Sequence, residues 1–131
     1  MALTVPCVPS ASAAVREGLS RLDELDWILG DVMLVASELV NNAVVHSGGT
    51  PHHEIQVRAS RRGSRLTVSV RDPGISGLSA GARPNTDLRA GGWGLHIVEA
   101  LCERWGEERE DGYRVWADID LSAADRSPTA L

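Results

Sequence analysis

Glu38, Asn42 and His46 stand four residues apart in the segment ASELVNNAVVHSGG, residues 36–49. Residues four apart on an α-helix share a face, so a carboxylate, an amide and an imidazole form one stripe on an otherwise apolar helix. A mostly buried helix with one polar stripe suits a cavity better than bulk water. The Asn42 amide oxygen is a hard, neutral ligand of the kind Mg²⁺ accepts, since that ion binds few protein groups and takes its other ligands from phosphates and water. Glu38, one turn earlier, can take a proton from an attacking hydroxyl or water, a role worth a factor of about 10² to 10⁴. His46 lies near the helix end, where the dipole favours a cation. The plain alternative is that Glu38 and Asn42 face solvent and His46 merely ends the helix, because an E-x-x-x-N spacing arises easily by chance.

Two glycine-containing segments downstream shift that balance. VSVRDPG runs off a strand into Asp72-Pro73-Gly74. A carboxylate there can accept a hydrogen bond from an exocyclic amine such as that of adenine, and Gly74 lets a flat base approach the backbone. As a lone motif, D-P-G is an ordinary turn. AGGWGLHIVEAL places Gly91, Gly92 and Gly94 directly before a helix. Free amides at a helix start, with glycines allowing close approach, make a phosphate cradle; the alternative is a linker with a helix-start glycine. It is not a P-loop, since no G-K-[ST] follows, nor a dinucleotide fingerprint, since no strand directly precedes it. Trp93, inside this turn, either packs a lid or shields the helix start. Arg83 and Arg89 either meet phosphate oxygens or are solvated.

The elements that must position these residues follow from periodicity. LTVPCV, residues 3–8, reads as a short strand that Pro6 confines to a sheet edge. Ser10 or Ser12 can cap a helix to about Leu22 with Val15, Leu19 and Leu22 on one face. A second helix starts at Asp31, buries Val32, Val35, Ala36, Leu39, Val40, Ala43 and Val44, and ends at Gly48-Gly49. Two alternating strands, HEIQVRAS and SRLTVSVRD, flank a turn at RRGS. From Pro73 to Gly92 periodicity dissolves into a loop long enough to be a lid. A third helix, WGLHIVEALCERW, precedes a strand pair at about Trp105–Glu110 and Tyr113–Leu121, joined at Asp111-Gly112. Trp105 and Trp116 read as core. Adjacent strand pairs favour an α+β layer arrangement over an alternating parallel fold.

The bulk properties narrow the function. The chain of 131 residues carries a formal net charge of −5, which argues against a direct nucleic-acid binder but not against a small anion held by backbone amides. Cys7 and Cys102 make neither a metal pattern nor a disulfide framework. No segment approaches the roughly 20 apolar residues of a membrane span, and the first residues lack the features of a signal peptide, so the expected location is cytoplasmic and no membrane partner is expected. His52, His53 and His96 carry no metal-site spacing.

In this order and at these separations, ELVNNAVVH, VRDPG and GGWGLHIV resemble the N, G1 and G2 boxes of the GHKL ATPase superfamily, which includes gyrase, histidine kinases, MutL and the RsbW-like anti-sigma kinases. The resemblance runs from about residue 10 to 120 and is closest to the small stand-alone RsbW/SpoIIAB-like members, whose SELVTNAVRHA wording is near SELVNNAVVHS. It implies a Bergerat fold: an α+β two-layer sandwich, a mixed or antiparallel sheet with helices on one face and ATP beneath a lid. Residues 1–121 would be one ATP-binding domain and 122–131 a disordered tail. The resemblance assigns the general-base position to Glu38 and the magnesium position to Asn42. It places His46 where a basic residue is common, Asp72 and Gly74 beside adenine, and Gly92, Trp93, Gly94 and Leu95 in the phosphate turn. It implies ATP and Mg²⁺ as cofactors and a serine/threonine kinase acting on a STAS-domain anti-anti-sigma protein, binding a sigma factor, or both. Relatives of this kind are often homodimers. The alternative is a nucleotide-responsive anti-sigma-type binding module with little or no phosphotransfer. A sensor histidine kinase fits less well, because there is no room for a phosphoacceptor hairpin before the ATP domain. Two positions depart from the family pattern: Ser76 stands where D-x-G-x-G has its second glycine, and Arg114 aligns with a late-strand Thr that helps hold an adenine-bound water.

Overall fold

The computed structural model describes residues 1–21, 29–77 and 94–122. Five strands, β1 (Ala2–Pro6), β2 (Glu54–Arg62), β3 (Arg65–Asp72), β4 (Arg104–Glu108) and β5 (Tyr113–Asp120), form one sheet in the order β1-β2-β3-β5-β4. Every pairing is antiparallel, so the sheet expected as mixed or antiparallel is the latter. Three helices complete the described chain: α1 (Ala11–Leu19), α2 (Leu29–His46) and α3 (Gly94–Leu101). The result is the expected two-layer α+β arrangement.

Alternation explains the layers. Ile55, Val57 and Ala59 on β2, Leu66, Val68 and Val70 on β3, and Val115, Ala117 and Ile119 on β5 are buried on one face, as a period of two requires. Against that face lies α2, whose Val32, Val35, Ala36, Leu39, Val40 and Ala43 recur at helical spacing and are all buried. Each such valine or leucine contributes about 1.5–3 kcal/mol when fully buried. The shorter α1 buries Val15 and Leu19 against α2 and β1, and α3 contacts α2 and β4. β1 is an edge strand, as Pro6 demands, and pairs Pro6 with Glu54. β2 and β3 close on Gly63-Ser64, where Gly63 takes a φ of +62°.

Several boundaries differ from the sequence expectation. Ser10 precedes α1 but its side chain makes no capping bond, and Ser12 is buried inside the helix. α3 stops at Leu101 rather than running to Trp105, because Trp105 is drawn into the β4 ladder opposite Ala117. Trp116 is not core: it sits half-buried on the outer face of the sheet, where a Cβ at Gly106 would lie 2.5 Å from its ring. Cys7 and Cys102 are both free thiols.

On that outer face Asp118, 3% exposed, gathers a polar cluster. The Thr67 hydroxyl donates to its Oδ1 at 2.6 Å, Arg104 Nε donates to Oδ2 at 2.8 Å, and Arg65 Nε stands 3.8 Å from Oδ2. Burial pushes the Asp118 carboxyl up, but the Thr67 hydroxyl and the Arg104 and Arg65 guanidinium groups outweigh it and hold the acid below its ordinary value. A folded-state value below the unfolded one means stabilisation that is present at neutral pH and lost as pH falls through the folded value. Asp118→Asn is therefore expected to cost about 2 kcal/mol at pH 7, the range of a hydrogen bond to a charged group. Both arginines are about half exposed, which keeps the ion-pair share small. In urea unfolding the gap between variant and wild type should narrow as pH drops below about 4; a gap that is constant with pH refutes the assignment.

Candidate functional site

The C-terminal end of α2 is stitched to the turn that follows β3. Gly48, with a φ of +79°, ends the helix in the left-handed conformation that a C′ glycine supplies. The Ser76 amide donates to the Ser47 carbonyl at 2.8 Å, and a Cβ at Gly48 would come 3.0 Å from Ser76 N. Ser47 is fully buried, its hydroxyl accepting from the Gly49 amide at 3.1 Å. A Cβ at Gly49 would lie 3.1 Å from Pro73 Cγ and 3.2 Å from Cys7 Sγ. Glycines at 48 and 49 thus serve a close approach as well as a helix end. Ser76, the departure from the family pattern, contributes its amide to this junction.

Asp72 is 4% exposed at the last position of β3 and accepts the Gly74 amide on Oδ1 at 2.7 Å, an Asx turn that sets the direction of the D-P-G segment. Gly74 has a φ of +66°, and a Cβ there would meet Gly112 and Tyr113 at 3.2 Å. Backbone packing is therefore a reason for this glycine beside the one drawn from the approach of a base. Asp72 pairs with Tyr113 across β3 and β5. Tyr113 is fully buried, donates its hydroxyl to the Glu107 carboxylate, and lies under the Arg109 guanidinium, 4.7 Å from the ring centre. Arg109 also donates to the Gly77 carbonyl at 2.8 Å.

Glu38, Asn42 and His46 fall on the half-buried face of α2, between the buried residues that pack on the sheet and the exposed Leu34 and Val45. Glu38 Oε2 is shut off from solvent and has no hydrogen-bond partner among the described residues. Burial alone raises the Glu38 carboxyl above its ordinary value. A buried oxygen of that kind costs free energy unless it is satisfied, and such groups concentrate where a reactant is to be met. His46 closes the last turn of α2. The acid and the amide are thus neither in open solvent nor on an element remote from Asp72: α2 contacts both β3 and α3.

The remaining candidates divide. The backbone of Gly94 and Leu95 opens α3, which packs on α2, so the start of that helix belongs to the same side of the molecule. Gly92 and Trp93 lie outside the described residues, as do Arg83, Arg89 and most of the expected lid. Arg114 is on β5 with its side chain on the outer face, opposite Arg71 and away from the face that carries Asp72. The alignment of Arg114 with an adenine-side Thr is therefore off the site; Tyr113 and Val115 are the β5 residues on the Asp72 face. Tyr113, Arg109 and Gly112 are the neighbours that sequence reading missed. Strand alternation could have placed Tyr113 inward, but nothing local to residues 109–113 announces a partner near residue 72.

Comparison with known proteins bears on the same segments. A family model described as a histidine kinase-like ATPase domain matches residues 6–118. An anti-sigma F factor from Shouchella clausii (strain KSM-K16) is 27% identical over 100 residues, 71% of this chain and 68% of that protein. Among solved structures, the blue-light activated histidine kinase of Erythrobacter litoralis EL346 is similar with a TM-score of 0.56 and 26% identity, over 74% of this chain and 31% of that one. A structure of its histidine kinase domain gives a TM-score of 0.57 at 21% identity, over 89% and 62%. The chain thus spans less than two-thirds of either solved relative's length.

Proposed function

Because the chain belongs to the histidine kinase-like ATPase domain family, we propose that it is an ATP-binding, anti-sigma-type regulator that works as a serine/threonine protein kinase on a STAS-domain partner. The observation that carries this reading is the orphaned Glu38 Oε2, buried on α2 one turn before the Asn42 amide. The similarity to an anti-sigma F factor supports the regulatory class, and with it a sigma factor as a second partner.

Residue types fit the nucleotide. Asp72 would accept the exocyclic amine of adenine, and the amides at the start of α3 would meet phosphate oxygens, with the helix dipole favouring negative charge there. Asn42 would hold magnesium through its amide oxygen, and His46 would add positive character at the end of α2. Bound magnesium supplies charge neutralisation on the phosphate oxygens. Glu38 would accept the proton of the partner's serine or threonine hydroxyl as its oxygen bonds to the γ-phosphorus and ADP leaves.

The test is incubation of the protein with γ-labelled ATP, magnesium and candidate STAS-domain proteins. Label on a partner serine or threonine is the expected result. Nucleotide binding without transfer to any partner would instead favour a nucleotide-responsive binding module. Asn42→Ala is expected to weaken nucleotide binding in magnesium by about tenfold or more, as loss of a metal-site group typically does. In chelator the variant should bind nucleotide as the wild type does. Equal loss in both conditions would remove the metal from Asn42.

A further inference from the structure

The outer face of the sheet, turned away from α2 and the nucleotide residues, carries a groove of 380 Å³ lined only by polar and charged side chains. Three of these are arginines, Arg58 on β2, Arg71 on β3 and Arg114 on β5, with Ser60, Thr67 and Ser69 as small floor residues. Register makes the arrangement costly. Arg71 stands directly opposite Arg114, and like charges directly opposite one another are destabilising. Arg58 lies opposite Ser69, two positions from Arg71 on the same face.

Compensation by the protein itself is incomplete. Arg114 meets the Glu108 carboxylate at 3.3 Å, and that carboxylate is half exposed. Among the described residues Arg71 donates only to the backbone carbonyls of Glu110 and Asp111, which are neutral. Arg58 has no partner among the described residues. Among the described residues, three guanidinium groups therefore share one carboxylate, in a chain whose net charge is −5. The excess positive charge is local and set against the sign of the whole molecule, which is the pattern of electrostatic complementarity to a partner.

We propose that this groove is the docking surface for an acidic polypeptide segment of a partner protein, whose side-chain carboxylates engage Arg58, Arg71 and Arg114. The guanidinium fork matches a carboxylate bidentately. Gln56, Arg58 and Ser60 are exposed along one wall, so the groove is open. A small-molecule site buries most of its ligand behind a largely apolar lining, and this one does neither. It spans three strands, about 10 Å across at the usual strand spacing, wide enough for an extended or helical segment lying over the sheet. Among the described residues no aromatic side chain lines the groove to stack on a base, which disfavours a single-stranded nucleic acid. The inference is independent of the nucleotide reading, because these side chains lie on the opposite face from Asp72.

The experiment is fluorescence anisotropy of a labelled peptide of about ten glutamates titrated with the full chain, a length that spans the groove at about 3.3 Å per residue. Saturable binding that weakens as salt rises is expected. Arg58→Glu should weaken it about tenfold or more, since like-charge juxtaposition at an interface costs several kcal/mol; Arg58→Lys should retain part of it. Arg21→Glu, on the α1 side and paired with Glu17 at 3.5 Å, changes net charge equally and should bind as the wild type does. Arg58 has no partner among the described residues to lose, so the variant's melting temperature and ADP affinity should match the wild type. The proposal is overturned by no saturable binding, by equal loss in both charge reversals, or by an unchanged affinity in Arg58→Glu. It is also overturned if a labelled single-stranded oligonucleotide binds more tightly than the peptide and loses that binding in Arg58→Glu.

Discussion

Glu38→Gln is expected to lower phosphoryl transfer to a partner serine or threonine by about 10²- to 10⁴-fold, the usual worth of a general base, while nucleotide affinity stays essentially unchanged. The substitution keeps the shape of the side chain and removes its ability to accept the proton. Burial has already raised the Glu38 carboxyl above the ordinary value of 4.5, so transfer by the wild type should fall as pH drops through a midpoint higher than that of an exposed glutamate. The same burial fixes the sign of the stability effect. With its folded value above the unfolded one, Glu38 binds more protons in the native state within the window between the two values. Its ionisation therefore takes stability away as pH rises through that window, and the loss persists above it. Glu38→Gln should melt higher than the wild type at pH 7, with the difference vanishing below about 4.5. A variant less active yet more stable is the signature of a group retained for chemistry. Retained transfer would end the assignment of the base. A lower melting temperature would mean that Oε2 has a satisfying partner in the native state.

What the sequence made legible was whatever depends on short-range period. The apolar rhythm of α2, its glycine stop, the β2–β3 turn and the alternation of β2 and β3 survive in the structure, because burial on one face enforces a period of 3.6 or 2. Comparison with relatives confirms the family that the three boxes suggested. Misplacements came where a long-range contact overrode local character. Helical spacing carried α3 through Trp105, but ladder bonds to β5 claimed that residue. Trp116 was assigned to the core by hydrophobicity, although the alternation of Tyr113, Val115, Ala117 and Ile119 already put it on the other face. Arg114, matched to an adenine-side Thr, lies on the outer face, because on a strand a single step reverses the face. Within the site, the Asx turn of Asp72 onto Gly74 is local and readable. Its packing against Gly112 and Tyr113, some forty residues on, depends on β3–β5 register and is not.

That packing gives the second large effect. Gly112 takes a φ of +102°, a region open essentially to glycine alone, and a Cβ there would collide with the Asp72 carbonyl oxygen. The obstacle is backbone in a paired strand, so it cannot swing aside as a flexible side chain would. Gly112→Ala therefore adds a steric clash to a backbone strain of about 1–3 kcal/mol, and a total near 3 kcal/mol corresponds to a fall in melting temperature of roughly 10 °C for a domain of this size. Gly63→Ala provides the comparison. Gly63 also has a positive φ, +62°, but open space where the Cβ would go, so it should cost only about 1–2 kcal/mol. The difference between the two melts isolates the clash. Because the displaced atom belongs to Asp72, the two variants should also differ in function: Gly63→Ala keeps nucleotide affinity, whereas Gly112→Ala, measured well below its melting temperature, loses it. If both variants melt alike, the start of β5 can move without strain. If Gly112→Ala is destabilised yet binds nucleotide as the wild type does, the position of Asp72 does not govern recognition of the base.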